Sequence, residues 1–78
     1  MDKVDWYLLA AGNDISVKVA NEIIQDRDVL EVIKDPSTNG SYLLISVNKM
    51  TSRVGYKVLN PSEAQLHQTP DIKVIVNN

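Results

Sequence analysis

Histidine is the side chain that most often supplies acid–base or metal chemistry, and this chain has one, His67. It lies near Gln65 and Gln68, and no cysteine or second histidine exists to complete a metal site. Serine and aspartate are present, but the three glycines form no phosphate loop and no nucleophile motif occurs. We therefore expect a protein that is not an enzyme and has no cofactor or metal.

Carboxylates form a second group, between Glu22 and Asp35. Glu22 and Asp26 are four residues apart, as are Glu31 and Asp35, so each pair would share one side of a helix. A calcium loop needs oxygen ligands at alternate positions around a glycine turn, and this segment has neither. The pattern favours the solvated face of an amphipathic helix, and the alternative is a negative docking surface for a basic partner.

Aromatic side chains near cations form a third group. Tyr56 lies between Arg53 and Lys57, and Trp6 or Tyr7 would join it on a central strand. Aromatic platforms with cationic neighbours bind single-stranded RNA on open sheets. However, this strand carries one aromatic residue where RNA-binding sheets use two at alternate positions, and a pI near 5.1 is low for a nucleic-acid binder. Single-stranded nucleic-acid binding is the alternative function.

A hairpin from Ser41 to Leu59 is the element around which these groups would be arranged. Apolar residues alternate in both arms, Tyr42 to Asn48 and Arg53 to Leu59, on either side of a short polar connection. One face of each arm carries three of them, namely Leu43, Ile45 and Val47 in the first and Val54, Tyr56 and Val58 in the second. The alternation predicts two antiparallel strands.

The segment from Val4 to Ala11 has strand propensity and ends before Gly12. A helix capped by Asp2 and ended at Gly12 is the alternative. We favour the strand, because the rest of the chain needs a partner for its sheet.

One long helix is predicted from the apolar residues between Val17 and Ile33, which recur near helical spacing. Pro36 ends it, because proline disfavours helix at the preceding residue. The alternative ends the helix near Asp26 and makes Val29 to Lys34 a strand, which the β-branched residues there favour.

The clearest local signal is Asn60-Pro61-Ser62-Glu63, in which asparagine caps a helix, proline occupies its first position and glutamate returns a bond to the cap. It predicts a short helix from Pro61 to about Gln68, since Pro70 follows. Ile72 to Val76 alternates and predicts a closing strand.

The order strand, long helix, strand, strand, short helix, strand predicts an α+β fold. It matches the split βαβ, or ferredoxin-like, pattern, an antiparallel four-stranded sheet with both helices on one face and a functional surface on the other. The 78 residues make one domain, 1–78, near the lower size limit for an unstapled core, so dimerisation would add useful buried surface.

Charge is unevenly distributed along the chain. Residues 1–35 carry eight acidic and four basic side chains, whereas residues 36–78 carry two acidic and four basic ones. Such polarity orients a molecule towards a partner or a second copy. We expect a cytoplasmic protein without membrane contact, since the longest apolar stretch, Trp6 to Ala11, is too short for a membrane span or a signal peptide.

Apolar residues are expected on both faces of the sheet, with Ile75 on the outer one, and this indicates a second covered surface. We therefore predict a small non-catalytic protein–protein interaction or regulatory module that uses a sheet face or edge, with a homodimer as one option. The predicted partner-binding residues are Tyr42, Leu44, Arg53, Tyr56, Lys57 and Ile75.

Overall fold

A computed structural model describes residues 3–75, which form a four-stranded sheet and three α-helices. The elements are β1 (Val4–Ala10), α1 (Asp14–Ile23), α2 (Arg27–Lys34), a 3₁₀ turn (Pro36–Thr38), β2 (Tyr42–Asn48), β3 (Arg53–Leu59), α3 (Pro61–Leu66) and β4 (Ile72–Ile75). The strand order is β3-β2-β1-β4. The α+β prediction is confirmed.

The sheet is mixed rather than antiparallel, because β4 runs parallel to β1 while β1–β2 and β2–β3 are antiparallel. Its central pair is β1 and β2, instead of the first and third strands. The chain leaves β1 and returns at the same end, where the Ala11 amide donates to the Ser41 carbonyl at 2.7 Å and the Gly12 amide donates to the Ile33 carbonyl at 2.8 Å. A returning connection of this kind makes β2 antiparallel to β1. The ferredoxin-like topology is not confirmed.

The segment predicted as one helix between Val17 and Ile33 forms two helices. The break between them reverses the direction of the chain and brings it back to the end of β1 from which it left. Ile24 is extended (φ −133°, ψ 139°) and 2% exposed, so its side chain fills the core from the link between α1 and α2. Asp26 then caps α2, accepting from the amides of Asp28 and Val29 at 2.9 and 3.1 Å. The alternative strand from Val29 to Lys34 is also wrong, because α2 occupies those residues.

Helices lie on both faces of the sheet, so the expected single helical layer is wrong. On the α1–α2 face, the buried cluster consists of Tyr7, Leu9, Ala11, Ala20, Ile24, Val29, Ile33, Leu43 and Ile45. On the opposite face, called the α3 face here, α3 covers a smaller cluster of Leu8, Leu44, Leu59 and Ala64.

The other local predictions are confirmed. Val4–Ala10 is a strand, and both hairpin arms have the predicted bounds. The Asn60 side chain accepts from the Glu63 amide at 2.8 Å, and the Glu63 carboxylate accepts from the Asn60 amide at 3.4 Å. The helix that they cap ends at Leu66, and of the closing strand Val76 lies outside the described residues.

Candidate functional site

The α3 helix leaves much of its sheet face uncovered. It has six residues, which gives a length of about 9 Å, whereas a seven-residue strand such as β1 is about 23 Å long. The helix packs Ala64 against the buried cluster at one end. Val4 and Trp6 lie further along β1, and Val74 on β4 lies beside Leu8; the three side chains are 38%, 41% and 40% exposed. We call these three residues the open patch.

Sheet register explains why Trp6 stands out from its surroundings. Ser46 is directly opposite Trp6 on β2, and Gly55 is opposite Ser46 on β3. Gly55 has no side chain, and a Cβ built there would meet the Ser46 hydroxyl oxygen at 2.9 Å. The indole of Trp6 therefore borders a low strip of two small residues that runs to the edge of the sheet.

Two cations flank this strip. Arg53 and Lys57 are two residues to either side of Gly55 on β3, so all three share the α3 face. The strand positions of that face within residues 3–75 carry no carboxylate. The patch is therefore apolar with a positive border.

Lys49, the third cation of the hairpin, is bound within the chain. Its ammonium lies 2.8 Å from the Asp5 carboxylate, the single ion pair among residues 3–75. The hydrogen bond from Lys49 lowers the pKa of Asp5, and the carboxylate in turn raises the pKa of Lys49. Arg53 and Lys57 have no such partner in this part of the chain.

No protein family, curated protein or solved structure matches this chain.

The six predicted partner-binding residues do not form one surface. The α3 face carries Tyr42, Leu44, Arg53 and Lys57, and the α1–α2 face carries Tyr56 and Ile75. Leu44 is buried beneath α3, and Tyr42 is half-buried against the same cluster. The expectation that Ile75 lies on the outer face is wrong, because it is opposite Leu9 and packs on the α1–α2 cluster.

Val4 and Val74 were not among the predicted site residues, and Trp6 and Tyr7 were alternatives. In the structure Tyr7 is 8% exposed within the α1–α2 cluster, so Trp6 faces the other way. Alternation in β1 separates the two residues but does not say which face a short helix will leave open. The short length of α3 was the sequence feature that could have indicated which face of the sheet remains open.

A cavity lies on the α1–α2 side, between the helix link and the β2–β3 turn. Its volume is about 460 Å³, and its walls include Ile23, Val47 and Val54. The two charged residues of its lining are already bonded, since Asp26 caps α2 and Lys49 binds Asp5. We therefore place the candidate site at the open patch.

No group of three metal-ligating side chains occurs among residues 3–75. None of the helices in this range has the length and apolar character needed to cross a bilayer.

Proposed function

We propose that the protein is a non-catalytic interaction module that binds a protein partner at the open patch. The observation that supports this proposal is the incomplete cover of the α3 face, which leaves three neighbouring apolar side chains about two-fifths exposed. Val4 and Trp6 are adjacent on one face of β1, and Val74 on β4 is diagonal to Trp6. Apolar residues grouped in this way, with a polar border, are typical of interaction sites.

The border of the patch indicates the chemistry of the partner. Arg53 and Lys57 favour acidic groups, while the indole of Trp6 offers an apolar surface. We therefore infer an acidic segment that carries an aromatic or aliphatic side chain. The side chain would lie against Trp6 over the strip of Ser46 and Gly55, and the acids would meet the two cations.

Selection from a random peptide display library tests this partner class. We expect enrichment of peptides in which Asp or Glu flanks one large apolar residue. Trp6 is the only tryptophan of the chain, so its fluorescence reports on the site directly. Binding of a selected peptide should shift the emission of Trp6 to the blue, because the indole loses contact with water.

The decisive comparison is between Trp6→Ala and Tyr56→Ala, measured by calorimetry with the selected peptide. We expect Trp6→Ala to weaken binding about 10-fold or more, as truncation of a buried aromatic anchor does. Tyr56 is the matched control, since it is 43% exposed on the opposite face. Equal effects of the two substitutions, or no effect of Trp6→Ala, would remove the open patch from the function.

Single-stranded nucleic acid is a second candidate, favoured by the position of Trp6 beside two small residues and two cations. A base could stack on the indole while Arg53 and Lys57 meet phosphates. Tyr56 has no part in this version, because it lies on the other face.

An oligothymidylate probe separates the two candidates. Nucleic-acid binding predicts quenching of Trp6 fluorescence that weakens as salt rises, with a further loss in Arg53→Ala. Absence of quenching at low salt would exclude this candidate and leave the protein partner.

A further inference from the structure

The outer edge of β3 presents a row of backbone groups that bond to no other strand within residues 3–75. The Ala11 amide donates to the Ser41 carbonyl, so the backbone of residue 41 points towards β1. Alternate residues of a strand bond to opposite neighbours, so the odd-numbered residues of β2 bond to β1 and the even-numbered ones bond to β3. The residues of β3 opposite those even positions are Arg53, Gly55, Lys57 and Leu59. It follows that the N–H and C=O groups of Val54, Tyr56 and Val58 point away from the sheet.

The side chains of the same three residues form an apolar row. All three lie on the α1–α2 face, where Tyr56 and Val58 are each 43% exposed and Val54 is half-buried. The helices on this face cover the cluster centred on β1 and β2 and leave the edge strand partly open. A seven-residue edge strand without proline is a template for another strand.

We propose that two copies of the protein dimerise through antiparallel pairing of β3 with β3, about a two-fold axis at Tyr56. In this register Tyr56 is opposite its own copy, and Val54 is opposite Val58 of the second copy. Each outward N–H of one strand then meets a carbonyl of the other, and the two sheets become one continuous sheet. The apolar rows of the two strands join on the α1–α2 face.

Charge on the opposite face selects this register over its two neighbours. With Tyr56 on the axis, Lys57 is opposite Gly55 and Arg53 is opposite Leu59. An axis at Gly55 would place Arg53 directly opposite Lys57, and an axis at Lys57 would place that lysine opposite itself. Like charges directly opposite each other destabilise paired strands. Of these three central registers, the one with Tyr56 on the axis alone avoids opposed like charges, which is why we assign the edge to a second copy.

The position of α3 adds a complementary charge. Leu59 is followed by the capping sequence of α3, whose first turn carries Glu63. Pairing therefore brings Arg53 of one copy towards the end of the sheet at which the glutamate of the other is located. Because the interface has two-fold symmetry, this approach of opposite charges occurs at both of its ends.

Sedimentation equilibrium between micromolar and millimolar concentration, with three variants, tests the proposal. We expect the native protein to dimerise, and Tyr56→Lys and Tyr56→Glu each to be monomeric, because residue 56 is opposite itself. An equimolar mixture of the two variants should restore the dimer, since opposite charges then meet. Val74→Lys is the control, with a charge at an equally exposed strand position on the α3 face, and should dimerise like the native protein.

Three results would overturn the proposal. A native protein that stays monomeric at millimolar concentration excludes the dimer, and a dimer that persists in Tyr56→Lys excludes this edge. Variants that are folded by circular dichroism but fail to associate when mixed exclude the two-fold register at Tyr56. The two proposals fail separately, because Trp6→Ala should leave the mass unchanged, whereas Tyr56→Lys should abolish the dimer without altering any residue of the open patch.

Discussion

Charged residues in this protein divide into those bonded within the chain and those free to meet a partner. Asp5 and Lys49 bind each other, and the Asp35 carboxylate accepts from the Ser37 amide at 2.9 Å, which lowers the pKa of Asp35. Arg53, beside the open patch, has no ion-pair partner among residues 3–75. Arg53 is therefore available to a partner at the open patch, whereas Lys49 is held by Asp5.

The pair Asp5–Lys49 gives a prediction about pH. The pKa of Asp5 lies below its unfolded value of 3.8, so its stabilising effect is present above that pH and is lost as pH falls through the folded value. The pKa of Lys49 lies above 10.5, so its effect is present below that pH and is lost as pH rises through the folded value. Between these limits the contribution of the pair is constant.

Carboxyl chemical shifts followed by NMR during an acid titration test this pair. We expect Lys49→Gln to raise the pKa of Asp5 towards 3.8, because the hydrogen bond and the positive charge are both lost. Asp35 is the internal control, since its lowered pKa arises from Ser37. An unchanged pKa of Asp5 in the variant would show that the ion pair does not form in solution.

Two glycines with positive φ give a matched prediction about stability. Gly12 (φ 75°) lies where an added Cβ would meet the Asn39 Cα at 2.9 Å, whereas Gly40 (φ 87°) faces open space. Gly40→Ala should cost about 1 kcal/mol for the left-handed backbone alone. Gly12→Ala should cost more, because backbone must also move. Urea unfolding measures both free energies, and a Gly12→Ala cost equal to that of Gly40→Ala would contradict the close packing at Asn39.

The positions of the helix N-caps determine how the helices and strands are arranged. Asn60 and Glu63 start α3 on the side of the sheet opposite to α1 and α2, and Asp26 starts α2 directly after the extended Ile24. The helix break makes β2 antiparallel to β1 and so places β3 at an edge. The short α3 leaves Trp6 exposed. Both proposed binding surfaces therefore depend on where helices begin and end.

Asp26→Ala tests the cap of α2. The change removes the acceptor for two amides of the first helical turn, so we expect a loss of about 0.5–2 kcal/mol in the free energy of unfolding. Asp26→Asn should retain most of the stability, because asparagine caps equally well. If both variants lost the same amount in urea unfolding, the charge of Asp26 rather than its cap would be responsible.

The two faces of the sheet differ in charge. Acids concentrate in the α1–α2 layer, from Asp14 to Asp35. Within residues 3–75, the strand positions of the α3 face carry Arg53 and Lys57 and no carboxylate, and α3 itself carries Glu63. The open patch and the β3 edge are separate surfaces, one on the positive face and one at the border of the sheet. A dimer joined at β3 would present two open patches on the same side of one sheet, and each would remain free for a partner.

The local elements of this protein follow from residues that are close together in the sequence. Alternation predicted β1 and both hairpin arms, and the capping sequence predicted the start of α3, because such signals depend on neighbours within a few residues. Composition and the order of the elements were enough for the α+β class.

The remaining features depend on contacts between distant parts of the chain. The break at Ile24 went unpredicted, because an apolar residue at helical spacing gives the same signal whether it continues a helix or fills the core from an extended link. That break determined the strand order. The strand order in turn determined on which face of the sheet each of Trp6, Tyr56 and Ile75 lies. Alternation shows that adjacent residues face opposite ways, but contacts between residues distant in sequence determine which face is covered.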